Sequence, residues 1–366
     1  MSSLIVVSRG GCVGITGDGQ LARMLAQAAQ RMGYCPVILA TNPNNSACQV
    51  TQRFIIGKDY RDERAIDEFI RAVDVATTEW EDVPGDSYQT ISREVPTFPN
   101  PTCLRIAQDR LTEKRLAQEL SIPIPPFTPI QEGSSFEGLF PGRVKTRSGA
   151  YDGKGQRLVQ SADEVLTALK ELGNVPCILE QEVDFLKEVS IIAVRSQDGD
   201  ICFYPVVENR HKEGILRTTH YLRSMHDDIE LKAQEIAERI LLRMDYVGVL
   251  AIEFFVTNER ELLFNEMAPR VHNSGHWTIE GCKTSQFENH IRAICGLSLG
   301  SPKPVCKEAK MYNLLGDEIF SERERFFESR AQENPNKSSP CPHSHFHDYR
   351  KELRPGRKMG HTTTIF

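Results

Sequence analysis

Residues 249–266 have the sequence VLAIEFFVTNERELLFNE. Two apolar segments, Val249–Val256 and Glu261–Glu266, flank the short polar segment Thr257–Arg260. Short runs rich in Val, Ile and Phe that are separated by a few polar residues are typical of two β-strands joined by a turn. The sequence therefore predicts a β-hairpin over residues 249–266.

The register of this hairpin decides which charged residues face each other. If the strands fold back symmetrically about the Glu259–Arg260 peptide, Glu253 faces Glu266 and Phe255 faces Phe264. Carboxylates that face each other in an apolar hairpin are destabilising. Oxygen ligands favour Mg²⁺ or Mn²⁺ over zinc, and Mg²⁺ is commonly held by one or two carboxylates together with substrate phosphates. The sequence predicts such a cation between the two glutamates; alternatively, one glutamate points to solvent or pairs with an arginine.

The segment Met267–Trp277 directly after the hairpin is rich in polar residues. Its side chains are suited to binding hydroxyl and anionic groups of a substrate. Asn265, beside Glu266, is a further oxygen ligand, although an ideal strand would turn it to the opposite face. The candidate substrate-binding residues are Arg270, His272, Asn273 and Ser274.

The first hundred residues alternate apolar and amphipathic segments, which predicts a parallel α/β unit. Residues 105–300 mix predicted strands, helices and glycine-rich turns, as in an α+β protein. The Pro-rich segment 96–105 predicts a linker, and a helix restarts over 106–120. The predicted elements of the first unit are a strand at Leu4–Val7 or Cys12–Thr16, a helix at Gln20–Met32, a strand at Val37–Ala40, a helix at Asp62–Ala72 and a strand at Val73–Thr77.

The turn Gly17–Ala22, GDGQLA, matches the dinucleotide fingerprint G-x-G-x-x-G/A between a strand and a helix. Its glycines let the backbone approach an anion, which the helix N-terminus attracts. A nicotinamide site also needs an acidic residue after the second strand, where this chain has Ala40–Asn42. We therefore predict a phosphate or small-ligand turn; the alternative is a tight turn without a ligand.

A second glycine-rich segment, Val144–Gln156, begins with a predicted strand that carries Lys145. Glycines at 149, 153 and 155 are typical of a mobile loop whose amides and lysine cover phosphates. The chain contains no G-x-x-x-x-G-K-[ST] motif, which excludes a P-loop enzyme. The alternative is an exposed basic turn.

The C-terminal segment Tyr349–Lys358 has five basic residues among positions 350–358. It is either a solvated basic tail or a phosphate clamp, and the acidic balance of the chain favours the clamp. Residues 317–345 are expected to contribute little to the core. The histidines at 343, 345 and 347 beside Cys341 match no zinc-binding spacing.

Composition narrows the class of protein. The chain has 366 residues, a net charge of −6 and ten cysteines without a C-x-x-C pair. The charge argues against wholesale nucleic-acid binding, and scattered cysteines fit a reduced cytoplasmic protein. No segment approaches the ~18 apolar residues of a membrane helix. We expect a soluble, cytoplasmic protein that binds small molecules and neither nucleic acid nor a membrane.

Together these motifs resemble one family, the 5-(carboxyamino)imidazole ribonucleotide synthases, which are ATP-grasp ligases of purine biosynthesis. The resemblance runs from about residue 12 to residue 363 and is poorest over 318–345. It implies an ATP-grasp fold, with a Rossmann-like pre-ATP-grasp domain over 1–109, the ATP-grasp domain over 110–299 and a small C-terminal domain over 300–366. The motifs that carry it are GDGQLARML (17–25), AYDGKGQ (150–156), EQEV (180–183), ENRHKEGILR (208–217), NEMAPRVHNSGHWTIEG (265–281) and RPGRKMGH (354–361).

Two positions depart from the family pattern. Asp18 stands where the family usually has glycine, and Arg350 replaces the glycine of a Tyr-Gly-Lys motif. Aspartate tolerates left-handed backbone better than most residues, so the first turn can survive. The second departure bears on how Lys351 is placed.

The resemblance, transferred position by position, implies roles for these residues. Arg110 and Lys145 would contact ATP phosphates, Glu180 and Val183 the adenine, and Glu188 the ribose. The full implied ATP set is Arg110, Lys145, Ala150, Tyr151, Asp152, Gly153, Lys154, Gly155, Gln156, Glu180, Gln181, Glu182, Val183, Glu188, His211, Asn265 and Glu266. The implied ribonucleotide set is Gln20, Glu79, Tyr151, Asp152, Lys154, Arg270, His272, Asn273, Ser274, Lys351 and Arg357. The implied metal ligands are Glu253, Glu266 and Asn265, and the implied catalytic residues are Arg270, Lys351 and Glu79.

The implied reaction joins bicarbonate to the amine of 5-aminoimidazole ribonucleotide, with ATP and Mg²⁺ (or Mn²⁺), and releases ADP and phosphate. A homodimer and functional coupling to a carboxyaminoimidazole ribonucleotide mutase are also implied. The alternatives are another ATP-grasp ligase, such as a formate-dependent transformylase or a biotin carboxylase, a nicotinamide oxidoreductase that rests on GDGQLA alone, and a non-catalytic binding protein.

Overall fold

The computed structural model describes residues 4–149, 153–223, 227–331 and 343–366. The N-terminal part is a parallel sheet in the order β3-β2-β1-β4. The predicted strand at 73–77 begins two residues later than expected, and the first strand is Cys12–Thr16 rather than Leu4–Val7. The elements are β1 (Cys12–Thr16), α1 (Gln20–Arg31), β2 (Cys35–Ala40), β3 (Phe54–Ile56), α2 (Glu63–Ala72), β4 (Val75–Thr78) and α3 (Gly85–Glu94).

The predicted linker at 96–105 is wrong, because a helix begins inside it. Asn100 caps this helix by accepting from the backbone N–H groups of residues 102 and 103, and Pro101 occupies its first turn, where no N–H partner is needed. The single helix predicted over 106–120 is also wrong: Asp109 ends one helix and caps the next. The two helices are α4 (Pro101–Gln108) and α5 (Arg110–Glu119).

A small antiparallel sheet follows, in the order β5-β8-β6-β7. One face is covered by a helix whose buried residues Val165 and Ala168 pack on Val144 and Leu179. This sheet carries the strand with Lys145, as predicted. Its elements are β5 (Phe127–Pro129), β6 (Gly142–Thr146), β7 (Gln156–Val159), α6 (Ala162–Glu171) and β8 (Cys177–Gln181).

The largest sheet is antiparallel, in the order β14-β13-β9-β11-β12-β15-β17-β16, with β10 beside β9. The last three strands in sequence extend this sheet instead of forming one of their own. Its elements are β9 (Phe185–Arg195), β10 (Ile201–Phe203), β11 (Val207–Lys212), β12 (Ile215–Leu222), α7 (Asp227–Arg243), β13 (Gly248–Thr257), β14 (Leu262–Ala268), α8 (Thr278–Gly281), α9 (Gln286–Ile294), β15 (Glu308–Leu315), α10 (Glu318–Ala331), β16 (His343–Asp348) and β17 (Lys358–Ile365).

Both faces of this sheet are buried along residues 249–252 of β13. Along β13, Val249 and Ala251 belong to one apolar cluster, whereas Leu250 and Ile252 belong to the cluster on the opposite face. Such strands carry continuous apolar runs, which is why residues 249–252 lack polar alternation. Residues 317–345 were expected to contribute little core, yet Ile319 of α10 is buried against Leu314 and Met359.

Candidate active site

A cleft of about 840 Å³ lies where the N-terminal sheet, α5, the 267–277 segment and the C-terminal strands meet. Its walls bring together residues that are up to 338 positions apart in sequence, from Gln20 to Lys358. The predicted site residues that line it are Gln20, Glu79, Arg110, Gly153, Lys154, His211, Glu253, Glu266, Arg270, His272, Asn273, Lys351 and Arg357.

The hairpin places Glu253 opposite Glu266, as predicted. The predicted pairing of Phe255 with Phe264 is wrong, because Phe264 faces Phe254. A register shift after Glu253 leaves Asn265 as an extra residue in β14. A bulge of this kind changes the direction of a side chain, so the alternation expected of an ideal strand does not apply to Asn265. The centre of the turn differs from the predicted one, which shifts the pairing near the turn. The extra residue Asn265 offsets this shift, so that Glu253 still faces Glu266.

The two facing carboxylates have different electrostatic surroundings. Burial raises the pKa of Glu253 to about 7, and the nearby Glu266 adds to this effect. Burial also acts on Glu266, but Arg110 outweighs it and holds the pKa of Glu266 below its ordinary value. The Arg110 Nη1 atom lies 3.0 Å from Glu266 Oε2. The structure therefore combines the two predicted arrangements: Glu266 faces Glu253 across the hairpin and also pairs with Arg110.

The donor set of this pair fits a hard divalent cation. Glu253 and Glu266 supply oxygen atoms, and Mg²⁺ needs only one or two protein carboxylates when phosphates and waters complete its shell. No group of three or more His, Cys, Asp or Glu side chains in the described ranges is arranged to hold a metal ion. A cation held by this pair alone would therefore depend on the oxygens of its ligand.

His272 is oriented by contacts on both ring nitrogens. The backbone N–H of Ser274 donates to Nδ1 at 3.3 Å, so that the ring proton lies on Nε2, which is 3.6 Å from Glu253 Oε1. Burial holds the pKa of His272 well below its ordinary value, which keeps the ring neutral. Ser274 itself is fully buried and accepts a hydrogen bond from Ser190 at 2.9 Å. Ser274 therefore orients the His272 ring and does not line the cleft.

Lys145 is buried next to Thr146, which lines the cleft, and belongs to an ion-paired cluster. Its Nζ contacts one oxygen of Glu180, and Nζ of Lys114 contacts the other. The side chains of Lys114 and Glu180 are 0% and 2% exposed. Burial raises the pKa of Glu180, but the two lysines outweigh it and lower the pKa to about 2. Burial lowers the pKa of Lys145, and the contact with Glu180 opposes this effect.

The turn Gly17–Ala22 is closed by a carboxylate of the chain itself. Glu79 accepts from the backbone N–H groups of Gly19 at 2.5 Å and Ala22 at 3.0 Å. Two N–H groups at this helix N-terminus are therefore occupied by the Glu79 carboxylate, whereas Gln20 of the same turn lines the cleft, and the predicted phosphate or small-ligand turn stays a prediction. The positive φ of this turn, 109°, belongs to Gly17 and not to Asp18. The Asp18 carboxylate accepts from Thr41 N at 2.9 Å.

Arg350 has a φ of 55°, in the left-handed region that glycine adopts most easily. Asp348 stabilises this turn by accepting from Arg350 N at 2.7 Å. Lys351, the next residue, still lines the cleft, with Nζ 3.3 Å from the carbonyl of Lys358 and 5.8 Å from the ring of Tyr349. The departure at Arg350 therefore leaves Lys351 at the site.

The conformation of Arg350 predicts a stabilising substitution. Arg350→Gly should raise the free energy of unfolding by about 0.5–1 kcal/mol, because glycine adopts left-handed backbone without the penalty of a Cβ atom. Urea denaturation would measure this, and Arg354→Gly, at an exposed position without a positive φ, should be neutral or destabilising. A lower unfolding free energy for Arg350→Gly than for the parent chain would contradict the expectation.

Other predicted residues have partners within the fold. Glu182 pairs with Arg143, and Glu188 Oε2 lies 2.6 Å from His211 Nδ1. Asn273 and Asn313 exchange side-chain hydrogen bonds. Gln181 ends β8, Val183 follows it half-buried, and Gly155 precedes β7, which Gln156 begins. Ala150, Tyr151 and Asp152, as well as Cys341, lie outside the described residues.

The sequence analysis did not identify Glu81 and Glu113, which line the cleft, or the buried Lys114. Glu113 and Lys114 follow Arg110 by three and four positions on α5, so helical spacing places them on one face. Glu113 Oε1 accepts from Met267 N at 2.6 Å, and burial raises the pKa of Glu113 to about 8. Glu81, just after β4, forms a two-point ion pair with Arg270. The helical spacing was available in the sequence, whereas the Glu81 contact was not.

Comparisons with known proteins agree with this geometry. Models of the ribonucleotide synthetase preATP-grasp domain, the ATP-grasp domain and the phosphoribosylaminoimidazole carboxylase C-terminal domain match residues 11–108, 115–287 and 309–366. The N5-carboxyaminoimidazole ribonucleotide synthase of Pseudomonas aeruginosa is 41% identical over 356 residues, which cover 96% of this chain and 93% of that protein.

Solved structures give the same picture. The N5-carboxyaminoimidazole ribonucleotide synthetase from Thermus thermophilus has a TM-score of 0.86 and 43% identity, and the match covers 97% of this chain and 93% of that one. The enzyme from Aspergillus clavatus, solved with ADP and 5-aminoimidazole ribonucleotide, has a TM-score of 0.87 and 28% identity, with coverage of 98% and 94%.

The fold and the cleft define an ATP-grasp ligase, an enzyme that forms a carbon–nitrogen bond at the expense of ATP. The expected fold class, with its N-terminal preATP-grasp and C-terminal domains, is confirmed. The chain belongs to the N5-carboxyaminoimidazole ribonucleotide synthase family, whose members carboxylate 5-aminoimidazole ribonucleotide in purine biosynthesis. In the described part of the chain, no helix has both the length and the apolar character to cross a bilayer.

Proposed function

We propose that the cleft binds ATP and bicarbonate beside 5-aminoimidazole ribonucleotide, and that the chain phosphorylates bicarbonate before the carbon–nitrogen bond forms. The observation that carries this proposal is the facing pair Glu253 and Glu266 in one cleft with Arg110, Arg270 and Lys351. Two acidic and three basic side chains converge there from four parts of the sequence. Such a mixture suits a phosphate-bound cation next to a second, anionic substrate.

The chemistry explains why both charge types are needed. Bicarbonate is a poor electrophile because its negative charge is delocalised over the atoms around carbon. Transfer of the γ-phosphoryl group of ATP to a bicarbonate oxygen breaks the bond to the β-phosphate bridging oxygen and yields ADP and carboxyphosphate. The substrate amine then attacks the carboxyphosphate carbon and displaces phosphate by breaking the carbon–oxygen bond, or it attacks CO₂ after carboxyphosphate has split into CO₂ and phosphate. In both routes the amine nitrogen gives up one proton. Phosphoryl transfer requires mainly positioning and neutralisation of charge.

On the ATP side, Glu253 and Glu266 would hold Mg²⁺, or Mn²⁺ in its place, with Asn265 as a further oxygen ligand. When bound, the cation neutralises phosphate charge during transfer. Arg110 and Lys145 contact phosphate oxygens. The proposal assigns to a flap that would exclude water the residues Ala150, Tyr151, Asp152, Gly153, Lys154, Gly155 and Gln156. It assigns to the nucleoside side of the site the residues Glu180, Gln181, Glu182, Val183, Glu188 and His211.

On the other side of the cleft, Arg270 orients bicarbonate, and Lys351 with Arg357 binds the ribonucleotide phosphate. Glu79 is held in place by the α1 N-terminus. His272 can donate its Nε2 proton to a ligand in the cleft, and Ser274 orients the ring through Nδ1. The proposed ribonucleotide contacts also include Gln20, Asn273, Tyr151, Asp152 and Lys154.

The proposal extends to the organisation of the protein. It takes residues 1–109, 110–299 and 300–366 as three domains, and it includes a homodimer and a cytoplasmic location. N-carboxylated amines lose CO₂ readily, so the product is best consumed soon after its release. This instability supports functional coupling to a carboxyaminoimidazole ribonucleotide mutase.

Release of ADP with each substrate omitted in turn tests the proposed reaction. We expect rapid release only with ATP, Mg²⁺, bicarbonate and 5-aminoimidazole ribonucleotide together, and transfer of ¹³C from labelled bicarbonate into the product. Formate or biotin should not replace bicarbonate or the ribonucleotide, and NADH should not bind. Release that depends on formate or biotin instead would assign the chain to a different ATP-grasp reaction.

A further inference from the structure

Arg270 is held by a residue that the proposed reaction does not use. Its Nη2 donates to Glu81 Oε1 at 2.9 Å, its Nε contacts Glu81 Oε2, and its Nη1 donates to the carbonyl of Val271 at 3.1 Å. Glu81 follows β4 of the N-terminal sheet, whereas Arg270 follows β14 of the large sheet. The ion pair therefore connects two separate parts of the fold across the cleft that both residues line.

The geometry of the pair determines what Arg270 can still bind. A guanidinium has five N–H donors in one plane. Glu81 and Val271, among the residues that the structure describes, take three of them. One donor remains on each terminal nitrogen. A planar anion with two oxygens, such as bicarbonate, can accept from both.

The side chains of Arg270 and Glu81 are 15% and 28% exposed. Burial opposes the charged form of both groups, but each group stabilises the charge of the other more strongly. The pKa of Arg270 is therefore raised, and the pKa of Glu81 is lowered. Both groups therefore stay charged, and their charges cancel. Arg270 therefore recognises an anion mainly by hydrogen bonds from its two remaining N–H groups, and less by a net positive charge.

We propose that Glu81 is a positioning residue that fixes the plane of the Arg270 guanidinium so that its two remaining donors meet bicarbonate. This inference rests on the proposed role of Arg270. Glu81 acts only through Arg270 and takes no part in the bond changes. Glutamine at position 81 would keep the size of the side chain but provide a single acceptor oxygen, so the guanidinium could rotate.

Steady-state kinetics of Glu81→Gln and Glu81→Asp test this role. We expect Glu81→Gln to raise the KM for bicarbonate about tenfold or more, with the KM for ATP changed less than twofold. Glu81→Asp keeps both oxygens and should recover part of the loss. Asp86→Asn, an exposed carboxylate on α3, is the matched control and should leave both KM values unchanged.

A structural role alone would predict a different pattern. Equal changes in the KM values for bicarbonate and ATP would overturn the inference. So would a lower thermal stability of Glu81→Gln with an unchanged ratio of the two KM values. If Glu81→Gln does not fold, as judged by circular dichroism, Glu81→Asp decides alone: a raised bicarbonate KM supports the role and an unchanged one refutes it. A parent chain whose ADP release does not depend on bicarbonate would instead refute the proposed function.

Discussion

Replacing Glu266 with glutamine is expected to lower kcat/KM for ATP by roughly 10³-fold, the upper range for the loss of one group that stabilises transition-state charge. Glutamine keeps the shape of the side chain and can still accept from Arg110, but it removes one of the two negative charges that face each other across β13 and β14. The remaining carboxylate would bind Mg²⁺ more weakly. Release of ADP at several Mg²⁺ concentrations would measure both the loss and its partial recovery at high Mg²⁺.

Glu261→Gln is the matched control for this prediction. Glu261 lies in the same hairpin but is exposed and does not line the cleft. A surface substitution usually changes the free energy of unfolding by less than about 0.5 kcal/mol, so we expect the kcat/KM of Glu261→Gln to stay within about twofold of the parent value. Near-normal activity of Glu266→Gln would contradict the assignment of the metal site. An equal loss in Glu261→Gln would show that the hairpin responds to any change of charge.

The largest effect on stability is expected for Glu180→Gln. This change leaves Lys114 and Lys145 buried without their shared carboxylate. Breaking a buried ion pair by removing one partner typically costs about 3–5 kcal/mol, and we expect a loss of that size in the free energy of unfolding from urea titration. The loss should shrink as the pH rises, because unpaired buried lysines give up their protons in the folded state and the unfolded chain then binds more protons.

Glu182→Gln provides the comparison, since Glu182 lies two residues further along and pairs with Arg143 at a partly exposed position. Exposed ion pairs contribute about 0–1 kcal/mol, so this variant should lose little stability. Similar losses in the two variants, or a loss below about 1 kcal/mol for Glu180→Gln, would mean that the buried cluster does not stabilise the fold as described.

The sequence predicts the site best where local pattern and chemistry coincide. The pairing of Glu253 with Glu266 is correct, although the turn is offset, because the bulge at Asn265 compensates for the difference. A bulge depends on packing around the strand, which apolar patterning does not reveal. The break between α4 and α5 was missed for a related reason: Asp109 fits the interior of a helical pattern, yet here it serves as a cap.

Contacts between distant segments were harder to predict. The turn at Gly17–Ala22 has the features of an anion site, but Glu79, far along the chain, supplies the anion. Glu81 likewise reaches Arg270 across 189 positions. Spacing within a segment carries no information about such partners, whereas the resemblance to a family indicated which residues gather at the cleft.

An electron paramagnetic resonance titration of Mn²⁺, used in place of Mg²⁺, with a non-hydrolysable ATP analogue tests the central assignment most directly. The parent chain should form a protein-bound Mn²⁺–nucleotide complex with its own spectrum, and Glu253→Gln and Glu266→Gln should weaken formation of this complex at least tenfold, whereas Glu261→Gln should not. Equal formation of the complex in all four proteins would contradict the claim that the facing glutamates hold the cation.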